Sequence, residues 1–152
     1  MRFFNDRLDK EYESFCRSIW DSVPLGLKLI CKSMLPDGFD KEMRYCIHDG
    51  HIIKFEENKK TNDIELNLLI FDEYDSIRKI EEEHKLVLVY KNAKVIKKPQ
   101  NCVGMQHDRD IMCHEISEYK EGRFIHSYLF PGGKELSIEF EGFELNEVDE
   151  FI

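Results

Sequence analysis

Four residues in one stretch, Cys102, His107, Cys113 and His114, are of types that ligate zinc. Their spacings, C-x4-H and H-x5-C, match no C-x2-C knuckle, and Cys113 and His114 are adjacent, so in a strand they face opposite sides. The five cysteines, Cys16, Cys31, Cys46, Cys102 and Cys113, are an odd number scattered through apolar patterns, which reads as reduced core thiols and not as a disulfide framework. The pair His48 and His51 has the i, i+3 spacing of acid–base or metal work. It sits in His48-Asp49-Gly50, however, and Asp-Gly is a turn dipeptide, so this reads as the turn that opens the first strand. A constellation of His51, His114 and His126 needs a convergence in space that spacing alone does not supply. The chain contains no G-x-G-x-x-G, G-x-x-x-x-G-K-[ST] or G-x-S-x-G pattern. No catalytic residue, metal or cofactor is therefore expected.

Charge is the stronger signal. The chain carries 31 acidic and 22 basic residues, a net charge of −9. Seven carboxylates, Glu135, Glu139, Glu141, Glu144, Glu147, Asp149 and Glu150, fall between Glu135 and Ile152, a segment with no Lys or Arg. Such a field repels nucleic acid and attracts basic surfaces, although an acidic edge strand and tail also serves solubility.

The elements that must carry these residues change period partway along. Leu8, Tyr12, Phe15, Cys16, Ile19 and Trp20 share one face of a helix of about four turns, opposite Arg7, Lys10, Glu13 and Arg17. Ser22 offers an N-cap and Pro24 a first helical position, predicting a second helix from Pro24 to Ser33 that buries Leu25, Leu29 and Ile30. Pro36-Asp37-Gly38 ends it, and a further helical turn is possible over Asp40 to Tyr45.

From His48 onward the period is two. His51–Glu57 and Ile64–Phe71 flank the polar tip Asn58 to Asp63 as a hairpin. Leu86–Tyr90 and Ala93–Ile96 are further strands, and the charged Asp72–Lys85 segment reads as a loop or short helix. Ile111–Tyr119, Arg123–Phe130 and Glu135–Phe143 form a meander with turns at Lys120-Glu121-Gly122 and Pro131-Gly132-Gly133. The pattern predicts one α+β domain over residues 1–152, with N-terminal helices packed on one face of a largely antiparallel sheet and an acidic C-terminal strand and tail. With 41% hydrophobic and 35% charged residues the chain is too apolar for disorder and too interrupted by charge for a membrane span. The opening Met1-Arg2-Phe3-Phe4-Asn5-Asp6 runs straight into charge without a secretory pattern, so a cytoplasmic protein is expected.

Met1-Arg2-Phe3-Phe4, the aromatic-rich first helix, the His48-Asp49 entry to a hairpin, the Lys91-Asn92-Ala93-Lys94-Val95-Ile96 strand and the aromatic, acidic end resemble a family of small uncharacterised bacterial proteins. The likeness covers most of the chain and departs from that family at Asn5 to Asp9. In general character the chain resembles immunity proteins of bacterial toxin systems, including contact-dependent growth inhibition. What the resemblance implies is a non-catalytic antitoxin that binds a cognate toxin, a basic nuclease such as an RNase, and covers its active site with carboxylates, touching neither nucleic acid nor membrane. The residues expected at that interface are Glu139, Glu141, Glu144, Glu147, Asp149, Glu150 and Phe151. The alternative is a small enzyme or ligand-binding protein with an unrecognised site.

Overall fold

A computed structural model describes residues 1–3, 9–31, 44–75 and 80–152, with positions 9, 72–75 and 80–81 described by backbone alone. The first helix, α1 (Asp9–Ile19), continues into a 3-10 turn, Trp20–Ser22. Its apolar face is the one the spacing predicts, because Tyr12, Cys16, Ile19 and Trp20 are buried while Lys10 and Arg17 face solvent. Leu8 and Arg7 lie outside the described residues. The Tyr12 hydroxyl accepts the Ile116 N–H, docking the helix on the sheet.

The second helix corrects the expectation of a span from Pro24 to Ser33. Its observed extent is α2 (Leu25–Lys28), four residues, with Pro24 in the N-cap position and Ser22 already in the preceding turn. Leu25 is 66% exposed, against expectation, whereas Ile30 is buried and Leu29 packs against the core as expected, and Leu27 is the buried position within the helix itself. A helix this short contributes a single inward position. Gly26 lets it lie close against the C-terminal strand, since a Cβ there would stand 3.1 Å from the Leu145 nitrogen. Arg44 and Tyr45 are not helical and both donate to the Leu29 carbonyl; the Pro36-Asp37-Gly38 stop and the rest of the Asp40–Tyr45 turn fall outside the described residues.

Among the described residues the strands are β1 (His51–Asn58), β2 (Asp63–Asp75), β3 (Ile80–Lys91), β4 (Lys94–Lys97), β5 (Cys113–Lys120), β6 (Arg123–Phe130), β7 (Lys134–Phe140) and β8 (Gly142–Val148). They form two antiparallel four-stranded sheets in the orders β1-β2-β3-β8 and β4-β7-β6-β5. The α+β reading and the antiparallel pairing hold, and the sheet is two sheets. The charged segment Asp72–Lys85 is neither loop nor helix at its described ends, because β2 runs to Asp75 and β3 begins at Ile80, with Glu73 opposite Glu81. Strand pairing sets the conformation there, although the segment has no apolar alternation to announce it.

The Glu135–Phe143 run is likewise two strands. The chain changes sheet at Glu141, whose N–H donates to the Lys91 carbonyl at the corner where β3 turns into β4. Two strands that switch sheets side by side fold one sheet over the other, in the manner of orthogonal packings. Tyr90 of β3 therefore meets Phe140 of β7 edge-on at 5.0 Å, and Leu66, Leu68, Leu86, Leu88, Tyr128, Leu136 and Ile138 fill the space between. The outer edge of β1 is covered: Ile52 bridges Val103, and Ile111 exchanges backbone bonds with Asp49 and Gly50. No helix of the described residues is long and apolar enough to cross a membrane.

Candidate functional site

The residues expected at an interface are carried by β7, β8 and the chain beyond, and the sheet switch divides them among different surroundings. Glu139 is half-buried between Lys94, 3.4 Å away, and Arg123, 3.3 Å away, and Arg123 also holds Glu141 at 3.2 Å. The segment lacks cations of its own, but neighbouring strands bring them to it. The Asn92 side chain first, and then Arg123, hold the Glu141 carboxyl below the usual range. Glu147 is on the inner face, opposite Leu86, where it accepts from the Tyr45 hydroxyl at 2.8 Å and meets His84 Nδ1 at 2.5 Å. Those two bonds, that of His84 first, hold its carboxyl below the usual range.

Glu144 lies on the outer face of the first sheet, and strand register puts it in line with partners that sequence distance hides. Glu56 of β1 is opposite Glu65 of β2, Glu65 opposite Val89 of β3, and Val89 opposite Glu144 of β8. One row across four strands thus carries three carboxylates, spaced by strand separations of about 4.8 Å. Like charges directly opposite each other are unfavourable. Lys54 relieves the first pair by reaching Glu56 at 3.0 Å and Glu65 at 3.2 Å, and Lys91 lies 3.4 Å from Asp63 and 4.0 Å from Glu144. Glu56, Asp63, Glu65, Val89 and Lys91 line one shallow groove on this face. Three carboxylates against one lysine leave the groove acidic. Further along the same face are Leu69, Val87, Val148 and the 41% exposed Phe71. Asp149 and Glu150 are exposed beyond β8, Lys85 donates to the Asp149 carbonyl, and Phe151 is half-buried.

The histidines and cysteines also regroup. His107 is 97% exposed and pairs with Asp110, away from any cysteine ligand, so the Cys102, His107, Cys113 and His114 grouping does not form. His51 faces Asp110 at 3.0 Å. His48 and Asp49 make the turn anticipated for them, with Asp49 at φ 63° and Gly50 bonded back to Ile47. Of the three histidines considered together, His114 and His126 converge without His51. Their β5–β6 hairpin pairs Ile116 with His126 and His114 with Tyr128, so the two imidazoles are diagonal neighbours on one face. His114 Nδ1 stands 3.0 Å from His126 Nε2 and 3.8 Å from the Sγ of Cys31, which follows α2. Burial pushes the His114 pKa down to about 4, with His48 adding to it, and burial, with His114 beside it, pushes His126 well below its usual value. Burial also pushes the Cys31 thiol up. Of the other thiols Cys16 and Cys102 are buried as expected, whereas Cys46 is exposed. Cys31 carries no spacing signal toward His114, 83 residues away.

On the opposite face of the second sheet the Ser117, Ser127 and Ser137 hydroxyls form a chain at 2.8 and 2.7 Å that ends on Glu135 at 2.9 Å. Glu135 also takes the Met1 amine, and Glu115 takes the Phe3 N–H. Comparison with protein-family models, curated proteins and solved structures gives no match.

Proposed function

We propose that this protein works by binding another protein with a basic surface, and that its role is that of an immunity protein neutralising a cognate toxin, with a basic nuclease as the toxin class. The observation that carries this reading is the row Glu56, Glu65 and Glu144 with Asp63 beside it, an acidic strip outside the core on a rigid sheet. Carboxylates fixed on strands need little ordering on contact, and complementary potential raises association rates toward about 10⁸ M⁻¹s⁻¹ at low salt. The neighbouring Phe71, Val87 and Val148 supply apolar area that charge alone does not. Glu144, Asp149, Glu150 and Phe151 stay in the proposed contact. Glu139, Glu141 and Glu147 lie off this row and contribute field.

The test is whether a neighbouring gene encodes a toxin domain and whether that domain binds this protein. Replacing Glu56, Glu65 and Glu144 together by Gln is expected to weaken binding at least tenfold, about 1.4 kcal/mol, and to flatten its salt dependence. A Glu139→Gln, Glu141→Gln, Glu147→Gln triple, which removes as many charges from positions off the strip, should change it less. Equal losses in both sets, or none in either, would remove the strip as the contact. A small enzyme is the second reading, favoured by the grouping of Cys31, His114 and His126.

A further inference from the structure

Cys31, His114 and His126 each direct one ligand-type atom toward the others, all within 4.8 Å. Two nitrogens on a tetrahedral zinc, each 2.0–2.1 Å from the ion, stand about 3.4 Å apart, and a nitrogen and a thiolate sulfur about 3.6 Å apart. The observed 3.0 Å between His114 Nδ1 and His126 Nε2, and 3.8 Å between His114 Nδ1 and Cys31 Sγ, bracket those values. We propose that Cys31, His114 and His126 bind one zinc-type divalent ion, with a fourth position for water or a small exogenous ligand.

Two buried imidazoles in contact also suit a plain hydrogen bond, and the surroundings argue for more than that. A histidine that ligates a metal through one ring nitrogen nearly always gives the other N–H to a fixed acceptor. The Tyr90 hydroxyl stands 2.7 Å from His126 Nδ1, the nitrogen turned away from the cluster, and its own hydrogen can pass to Tyr128 at 2.6 Å. Cys31 is fixed by its own N–H on the Leu27 carbonyl at 2.9 Å. His126 is thereby aimed by a second group, and the backbone that carries Cys31 is anchored. Cys31 and His126 are buried and His114 is half-buried, so the approach runs past His114. Three protein ligands and one exchangeable position is the count of zinc sites that bind or activate a small molecule. The inference stands apart from the acidic strip, and either can fail alone.

The test uses the full chain, reduced and stripped of metal, with Co²⁺ and Zn²⁺ as probes. One equivalent of Co²⁺ should give the visible bands of a tetrahedral ion together with thiolate-to-cobalt charge transfer, and Zn²⁺ should displace it with a dissociation constant of about 1 µM or below. Cys31→Ser should abolish the charge-transfer band, while Cys46→Ser and Cys113→Ser leave it intact. Since His126→Gln risks the fold, Tyr90→Phe serves as the positioning variant, expected to weaken metal binding about 10–100-fold with the spectrum retained. The proposal is overturned by absence of a stoichiometric cobalt spectrum in the wild type, or by a thiolate band that survives Cys31→Ser and disappears in Cys46→Ser.

Discussion

The Tyr90 hydroxyl, on the first sheet, lies 2.7 Å from Nδ1 of His126 on the second, and this contact joins the two layers through the middle of an otherwise apolar core. The same oxygen is 2.6 Å from the Tyr128 hydroxyl. Burial pushes both phenols up and the imidazole down, so the three are neutral at physiological pH.

Tyr90→Phe keeps the ring and removes the shared hydroxyl. It leaves a nitrogen of His126 and the Tyr128 hydroxyl buried without that partner, which costs about 1–3 kcal/mol. Urea unfolding should show a lower midpoint with an unchanged slope.

Glu147 gives a pH signature. Its carboxyl is held below the usual 4.5 by His84 and Tyr45. The unfolded chain then takes up a proton before the folded one does, so the stabilisation is complete above about pH 4.5 and is lost as pH falls through the folded value. Glu147→Gln should be less stable than wild type at neutral pH, and the gap should close below pH 4.5, as followed by thermal melts across that range.

Gly50 has no room for a side chain. A Cβ there would stand 2.8 Å from Ile70 Cγ2 and 2.9 Å from the Ile47 carbonyl oxygen, the latter being backbone that cannot swing away. Gly50→Ala is expected to cost about 1–3 kcal/mol through overpacking, read as a drop in melting temperature with the secondary structure preserved.

Glu121 sits at φ 53° and Gly122 at φ 81°, the two central positions of a hairpin turn closed by the Lys120 and Arg123 pair. Asn tolerates a left-handed backbone better than Glu, and Asn-Gly is the favoured pair for such a turn. Glu121→Asn should stabilise the protein by about 0.5–1 kcal/mol, measured by chemical denaturation. Unchanged stability would mean that the Glu121 side chain offsets the backbone strain.

Periodicity and turn chemistry determined the elements wherever burial is one-sided. The Tyr12, Cys16, Ile19 and Trp20 face of α1, the β1–β2 hairpin with its polar tip, and the β5–β6–β7 meander follow from apolar spacing and from Asp49-Gly50 and Glu121-Gly122. The helix predicted to run on to Ser33 stops at Lys28, because propensity and a cap do not specify length when so few of its residues reach the core. Nothing local marks Glu141 as the point where one strand leaves a sheet and the next enters another. That corner is set by the β3–β4 ribbon alongside, through the Lys91 carbonyl.

The same limit governs the sites. Sequence distance kept Glu56 and Glu65 apart from Glu144, and Cys31 apart from His114 and His126, although every residue type was visible. Register across four strands aligned the first set, and the packing of the segment after α2 against the β5–β6 hairpin gathered the second. Residue identity fixes what charge or ligand atom each position can offer; only the long-range pairing of strands, whose contacts are non-local, decides which of them meet.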